Sequence, residues 1–329
     1  MATCVLAGDV GGTKTNLAVY RVGAPGKLTL VREGSFSSHS ASALEPIVEG
    51  FLAQGGETVA AAAFGIAGPV IDGVVQVTNL PWRVAAASIG DAIGSPQVRL
   101  LNDLETTAYG ALYAEPEQLL SLNAGVACAG NRAVIAAGTG LGQGILVWDG
   151  MRFHPSATEG GHVDFGPRDA REDALCAYLR ARFGRVSYER VCSGPGLHHV
   201  FEFLTQACGR SVSSDVQARL SLEDPSAVIG ELGVAGTCAT CVEAVDLFVG
   251  IYGAQAGNLA LAAMAVGGLY VGGGIVTKLL PRITAGAFLA AFLAKQPHRA
   301  LLERITVSVL LDTKASQLGA AYAAADLLG

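Results

Sequence analysis

The strongest candidate for acid–base chemistry in this sequence is Asp103. It follows Asn102 and the short run 98–101, which has the pattern of a strand. A carboxylate held at the end of such a strand can accept the proton of an attacking hydroxyl group, which contributes roughly 10²–10⁴-fold to a rate. The alternative is that Asp103 only caps a helix beginning at Leu104. We predict the catalytic role, and the two roles do not exclude each other.

A glycine-rich stretch near the start of the chain has the composition of a phosphate-binding turn. It lies between two strand-like segments and comprises Gly8, Asp9, Val10, Gly11, Gly12 and Thr13. Glycine can reach positive φ in a hairpin turn, and its bare backbone lets N–H groups approach a phosphate. Thr13 adds a hydroxyl donor, and Asp9 could hold Mg²⁺ through water. The alternative is a hairpin that needs glycine for its turn alone.

The same strand–turn–strand pattern occurs a second time. Strand-like segments over 133–137 and 143–148 flank the turn residues Gly138, Thr139 and Gly140. An internal repeat of this kind is informative, and two glycine hairpins with threonine at the turn favour a clamp for a polyphosphate. The expected ligand of the two turns is therefore a polyphosphate.

A third glycine run follows the apolar segment 269–271 and contains Gly272 and Gly273. Bare backbone at the end of a strand can lie against a flat base or a ribose. Tight packing between a strand and the following helix explains these glycines equally well, so both interpretations stay open.

Four polar residues have side chains suited to sugar hydroxyls. Glu159 and His162 show the E-x-x-H spacing of metal sites on helices, but two glycines between them disfavour a helix. We therefore predict a loop and no metal site. Glu189 supplies a further acceptor, and Asn102 can donate and accept at once. Together these residues predict a polyhydroxylated substrate, although each alone could equally stabilise a loop.

These residues need a scaffold that brings strand ends together. Three strands in a meander, followed by alternating helices and strands, predict an α/β layer fold whose ligands lie at the carboxyl ends of strands. Three further expectations concern the second half of the chain. Residues 151–168 lack clear periodicity, residues 211–231 are polar and face solvent, and residues 279–295 form one helix.

Composition narrows the class of protein. The chain has 329 residues, enough for two domains, with 15% charged residues and a net charge of −6, which argues against nucleic acid as a partner. Seven cysteines, an odd number, and a start without signal-peptide features lead us to expect reduced thiols in the cytoplasm. The uncharged stretch 247–277 is long enough to span a bilayer, but its glycine runs predict a buried helix and strand instead, and no membrane partner.

The order of these motifs resembles the bacterial ATP-dependent glucokinase family, within the sugar kinase/Hsp70/actin superfamily. The match covers nearly the whole chain. The resemblance implies an α/β fold with two ribonuclease-H-like (actin-like ATPase) domains around a central cleft. It implies a small α/β domain over 1–110, completed by a C-terminal helix over 315–329, and a large α/β domain over 111–314.

The resemblance also implies an activity, the phosphorylation of D-glucose at O6 by ATP with Mg²⁺. Asp103 would be the general base on the 6-hydroxyl, and the turn from Gly8 to Thr13 would bind ATP phosphate. The implied glucose ligands are Asn102, Glu159, His162 and Glu189. Cytoplasmic homodimers are common in the family. No cysteine-rich zinc motif follows 163–166 and no helix-turn-helix segment precedes the first hairpin, so neither a structural metal nor a repressor role is expected.

Alternatives stay open at this level. One is a kinase for another hexose or an amino sugar, because a single side chain can read one hydroxyl's stereochemistry. Another is a nucleotide or sugar sensor without turnover, against which Asp103 argues because a sensor needs no base. Lys14 could reach phosphate or face solvent. Cys238 and Cys241 form a C-x-x-C that suits core thiols better than zinc or redox chemistry.

Overall fold

The computed structural model describes residues 3–23, 27–312 and 314–329. The strands, in chain order, are β1 Cys4–Val10, β2 Lys14–Val22, β3 Leu28–Ser37, β4 Val59–Ile66, β5 Val70–Ile71, β6 Val74–Gln76, β7 Arg83–Ala85, β8 Val98–Asn102, β9 Leu119–Asn123, β10 Arg132–Ala137, β11 Leu141–Trp148, β12 Phe153–Thr158, β13 Gly268–Gly272 and β14 Val307–Leu310. The α-helices are α1 Glu45–Leu52, α2 Ala86–Ile93, α3 Asp103–Ala111, α4 Ala170–Phe183, α5 Gly194–Glu202, α6 Ser214–Leu222, α7 Pro225–Ala235, α8 Ala239–Ala262, α9 Gly274–Lys278, α10 Leu280–Ile283, α11 Ala287–Leu293, α12 Arg299–Arg304 and α13 Ala315–Ala325.

The chain folds as two compact units. Unit 1 comprises Met1–Gln118, Gly144–Ala157 and Asp312–Gly329, and unit 2 comprises Leu119–Gln143 and Thr158–Leu311. Sheets with helices on their faces occur in both, which confirms the α/β class. The domain boundaries inferred from the sequence stay a prediction.

The main sheet of unit 1 has the strand order β3-β2-β1-β4-β8. β1, β2 and β3 pair antiparallel as a meander, whereas β4 and β8 join parallel to β1. The predicted first hairpin is therefore confirmed. Because β1, β4 and β8 run parallel, Asp9 near the end of β1 and Asn102 at the end of β8 lie at the same edge of this sheet.

Helices cover both faces of that sheet. Side chains alternate along a strand, so Leu6, Leu17 and Phe64 point together into a core shared with α1 and α2. On the other face α13 packs against α3. Glycine makes this contact possible, since a Cβ on Gly110 would lie 1.9 Å from Ala315 O. The start of α3 is thereby held beside the sheet edge.

The second sheet has the order β12-β11-β10-β13-β14-β9. β10, β13 and β14 are parallel, and β9 pairs antiparallel with β14. Helix α8 packs on β10 and β13, and its fully buried Tyr252 donates a hydrogen bond to Ile135 O at 3.0 Å. The second strand–turn–strand pattern, β10 and β11, is confirmed as neighbouring strands.

Three expectations for the second half of the chain need correction. The segment without periodicity contains β12, and the polar segment 211–231 contains α6 and α7. Ser213 and Asp224 cap these two helices, as serine and aspartate commonly do, and α7 buries Val228 rather than facing only solvent. The single helix over 279–295 is wrong, because Gly286 has a φ of 105° and separates α10 from α11.

The stretch 247–277 forms the end of α8 and then β13, as predicted. In the described part of the chain, no helix alone is long and apolar enough to cross a membrane. Helices α7 and α8 taken together meet the criteria of length and composition, but they bend by 99° at their junction.

Candidate active site

The candidate base lies in the first turn of α3, in unit 1. Asn102 is the N-cap: its Oδ1 accepts from Leu104 N–H at 2.9 Å, and Glu105 Oε2 accepts from Asn102 N–H at 2.8 Å. The helix therefore begins one residue earlier than expected, and Asn102, not Asp103, caps it. The alternative role for Asp103 as the capping residue is wrong. A carboxylate in this position is also favoured by the helix dipole.

Asn102 keeps the capacity to bind a ligand. Its Nδ2 donates to Gly68 O at 3.1 Å, a contact that joins the end of β8 to the loop after β4. An amide oxygen has a second lone pair and an amide nitrogen a second hydrogen, so each end can take one more partner. Gly68 has a φ of 134°, and a Cβ added to it would lie 2.9 Å from Gln76 O.

The first glycine turn, between β1 and β2, does not use glycine for its conformation. Neither Gly11 nor Gly12 has a positive φ, so that part of the sequence argument is wrong. A Cβ on either residue would have its nearest neighbour at 3.4 Å, which is tolerable. Gly8 differs, because a Cβ there would lie 2.1 Å from Phe64 Cδ1. Packing thus explains Gly8 but does not explain Gly11 or Gly12.

Asp9 is held near this turn by two neutral donors. Its Oδ1 accepts from Ser316 Oγ at 2.8 Å, and its Oδ2 from Asn16 Nδ2 at 3.4 Å. Mg²⁺ is usually held by one or two carboxylates together with the substrate's phosphates. Asp9 provides one such carboxylate, and no Lys, Arg or His among the described residues forms an ion pair with it. The donor set therefore fits the ion. Thr13 and Lys14 are exposed at the turn.

The second group of candidate residues lies in unit 2, around His162. His162 Nε2 is 3.9 Å from Glu159 Oε2, and its Nδ1 is 3.7 Å from Glu189 Oε1. Glu159 precedes a 3₁₀ turn, Gly160–His162, and His162 is its last residue, which agrees with the predicted absence of an α-helix. Arg185 donates to His162 O at 2.6 Å and so fixes the end of this turn. The structure thus brings together an imidazole and two carboxylates with exposed atoms.

Glu189 connects this cluster to the second glycine turn. Its Oε2 accepts from Leu141 N–H at 3.0 Å, and a Cβ on Gly140 would lie 2.6 Å from the same oxygen. Within the turn, Gly138 N–H donates to Gly140 O at 2.9 Å, and Thr139 is exposed. Behind Glu189, burial raises the pKa of Tyr188, whose hydroxyl accepts from Asn258 Nδ2 at 3.0 Å.

Gly272 and Gly273 lie at the end of β13, near the same turn. Gly273 has a φ of 97°, and a Cβ there would lie 2.2 Å from Ala137 O. Backbone conformation and close packing therefore explain Gly273 without a ligand. A Cβ on Gly272 would meet only atoms at 4.0 Å. Gly194 N–H also donates to Gly138 O at 2.8 Å, so the start of α5 adjoins the turn.

Within the described residues, no three His, Cys, Asp or Glu side chains are grouped as a metal site would require. Cys241 and Cys238 are buried at the start of α8, and burial raises the pKa of Cys241. That environment makes a reactive thiolate unfavourable.

Comparison with known proteins gives a consistent result. The family model described as Glucokinase matches residues 6–327. A glucokinase of Nostoc sp. is 37% identical over 342 residues, covering 99% of this chain and 100% of that protein. The crystal structure of a glucokinase from an Antarctic psychrotroph is 27% identical with a TM-score of 0.86, covering 99% of this chain and 100% of that one.

A more distant structure shares the fold. It is a ROK family glucokinase from Streptomyces griseus in complex with glucose and AMPPNP, 23% identical with a TM-score of 0.64, and it covers 98% of this chain and 99% of that one. The two-domain, actin-like fold expected from the sequence is thereby confirmed. With a full-length family match and relatives above 30% identity, the chain belongs to the glucokinase family.

Proposed function

We propose that this chain transfers the γ-phosphoryl group of ATP to O6 of D-glucose, with Asp103 as the general base. The observation that carries the proposal is the position of Glu189. Its carboxylate contacts both His162, in the cluster suited to sugar hydroxyls, and the backbone beside Gly140, in the turn suited to phosphate. One side chain thus links the two kinds of chemistry that a sugar kinase needs, and the family supports the same reading.

Asp103 performs the proton transfer. Its carboxylate accepts the proton of the 6-hydroxyl while O6 forms a bond to the γ-phosphorus and the bond from phosphorus to the ADP oxygen breaks. The products are glucose 6-phosphate and ADP, and the proton then leaves Asp103 for solvent. Because Asn102 caps α3, the position of Asp103 does not depend on its own side chain capping the helix.

The remaining sugar ligands have complementary roles. The carboxylates of Glu159 and Glu189 accept hydrogen bonds from hydroxyl groups, the His162 ring donates or accepts, and the Asn102 amide does both. Their number favours a ligand with several hydroxyls over a small or apolar one. The identity of the relatives as glucokinases supports glucose in particular.

The glycine residues bind the nucleotide. Gly8 to Thr13, and Gly138, Thr139 and Gly140, offer backbone N–H groups and hydroxyls to phosphate oxygens. Gly272, whose missing side chain no close contact explains, is the position proposed to lie against the base or the ribose, and Gly273 follows it in a conformation that packing already requires. When bound beside Asp9, Mg²⁺ would neutralise charge on the phosphates, and in phosphoryl transfer such neutralisation together with positioning supplies almost all of the catalysis. A cytoplasmic homodimer, with no nucleic acid or membrane partner, stays part of the proposal.

The test is a coupled assay of ADP release with Mg·ATP and glucose, mannose, fructose, N-acetylglucosamine or no sugar. We expect turnover on glucose. Asp103→Asn should retain glucose binding, measured by calorimetry, and lose roughly 10²-fold or more of kcat, because the amide cannot accept the proton. Asp91→Asn, which removes an exposed carboxylate from α2, is the matched control and should keep its activity.

Each other outcome has a distinct meaning. Near-normal kcat in Asp103→Asn would overturn the assignment of the base. Turnover on a different sugar would keep the chemistry and change the substrate to another hexose or an amino sugar. ATP binding with no turnover on any sugar would support a sensor instead.

A further inference from the structure

Gln143 on β11 is a buried side chain with an unpaired donor. Only 3% of the residue is exposed, and its Nε2 has no hydrogen-bond partner among residues 3–23, 27–312 and 314–329. An amide buried in this way loses its hydrogen bonds to water and gains none in return. Buried polar groups are nearly always paired, so an unpaired one needs a specific explanation.

The amide of Gln143 lies against the turn that contains the candidate sugar ligands. A Cβ added to Gly160 would lie 2.3 Å from Gln143 Oε1 and 3.0 Å from its Cδ. A Cβ on Gly161 would lie 1.8 Å from Leu141 O, on the same strand. The main chain between Glu159 and His162 therefore lies directly on β11, and only glycine allows this approach.

We propose that Gln143 is a positioning residue for sugar binding, and this inference rests on the proposed function. Its Nε2 donates to the main chain of the Glu159–His162 turn when the sugar binds, and so orients the Glu159 carboxylate toward the sugar hydroxyls. Gln143 does not touch the sugar and acts through Glu159. The turn accepts from this amide only in the sugar-bound arrangement, so the hydrogen bond stabilises that arrangement alone. Sugar binding and pairing of the amide therefore favour each other.

The test is Gln143→Met, because methionine has a similar volume and shape but no amide. We expect KM for glucose to rise about three- to tenfold, the factor that one hydrogen bond is worth. We expect kcat and KM for ATP to stay within about twofold of wild type. The Tm should not fall, because an apolar side chain removes the cost of an unpaired buried group. A merely structural role would instead lower the Tm.

Two glutamines serve as controls. Gln255 is equally buried, at 3% exposed, but its Oε1 accepts from Asn258 Nδ2 at 2.9 Å. Gln255→Met should therefore lower the Tm. Gln217 is exposed on α6, and Gln217→Met should change neither the Tm nor KM.

A wild-type KM for glucose in Gln143→Met would overturn the inference. So would a lower Tm with an unchanged KM for glucose, which would assign Gln143 a structural role only. Failure of the proposed function looks different, since the wild-type protein itself would then show no turnover on glucose, and the inference about Gln143 would fall with it.

Discussion

The glycines of the candidate site differ in what occupies the space that a side chain would take. Gly140 faces the Glu189 carboxylate, whose Oε2 would lie 2.6 Å from an added Cβ and which accepts from Leu141 N–H at 3.0 Å. Gly138, two residues earlier, has no atom within 4 Å of such a Cβ, among the described residues. The absence of a side chain at 140 therefore decides where the Glu189 carboxylate can lie.

We predict that Gly140→Ala raises KM for glucose by about tenfold or more. The new methyl group displaces the Glu189 carboxylate from its backbone donor and from His162, and a charged hydrogen bond is worth about 1.5–3 kcal/mol. The Tm should change little, because the end of a flexible side chain can rotate away. Steady-state kinetics and a thermal melt measure the two effects.

The control is Gly56→Ala. Gly56 is exposed in a loop, has no positive φ, and a Cβ there would meet no atom within 4 Å, within the part of the chain described. KM for glucose and the Tm should both match wild type in this variant. If Gly140→Ala also had a wild-type KM for glucose, Glu189 would not be the sugar ligand that we propose.

At the scale of elements, the contact between α3 and α13 determines where the base is held. Both helices lie in unit 1 and meet at glycines, since a Cβ on Gly319 would lie 1.8 Å from Thr106 O. Thr106 Oγ1 and Ser316 Oγ are 2.9 Å apart across the same contact. Asp103 is in the first turn of α3, and Ser316 donates to Asp9. This helix pair therefore supports the candidate base and the candidate Mg²⁺ ligand together.

We predict that Gly319→Ala destabilises the protein by about 1–3 kcal/mol, the usual range for overpacking a tight contact. Because the obstructing atom belongs to the backbone, the helices must separate, and kcat should fall as well. Urea denaturation gives the free energy of unfolding, and the coupled assay gives kcat.

Gly50→Ala is the matched substitution. Gly50 lies inside α1 and a Cβ there would meet nothing within 4 Å in the described chain, so alanine should stabilise the protein by about 0.5–1 kcal/mol. The change in the free energy of unfolding should therefore have opposite signs in Gly319→Ala and Gly50→Ala. A neutral Gly319→Ala would show that α3 and α13 can separate without cost.

For the molecule as a whole, a buried histidine makes folding stability depend on pH. His199 on α5 is 7% exposed, and its Nδ1 lies 2.9 Å from Arg190 O. Burial lowers the pKa of His199, so the folded protein resists protonation at this ring. In the unfolded chain a histidine has a pKa of about 6.5. The unfolded state therefore binds the proton more readily.

We predict that stability falls as the pH drops below about 6.5, because the unfolded state then takes up a proton that the folded state excludes. His199→Gln should be less stable than wild type at pH 7.5, since the packing changes, but its stability should decrease less between pH 7.5 and 5.5. Urea denaturation at both pH values measures this slope. An identical slope in the two proteins would contradict the role of His199.

The accuracy of the sequence-based predictions depended on how far apart the partners are in the chain. The hairpin β1–β2 and the position of Asn102 at the end of β8 follow from adjacent residues, and they were predicted. The contact between Asp9 and Ser316 joins residues 307 positions apart, and no local pattern indicates it. Gly286 divides a helix that hydrophobic periodicity alone would continue, because its left-handed backbone adds a turn without changing that periodicity.

The place of α13 in unit 1 has a consequence for synthesis of the protein. β1 and β4 are made early, but α13, which packs on them, follows every other strand and α-helix given above, and Ser316 meets Asp9 only after 307 further residues have been added. At about 5–20 residues per second, the ribosome needs on the order of 15–60 s for that distance. During this interval one apolar face of the nascent sheet lacks its native cover. We therefore expect a chain stopped before residue 315 to depend on chaperones, even though nearly every other strand and helix of the fold is already present.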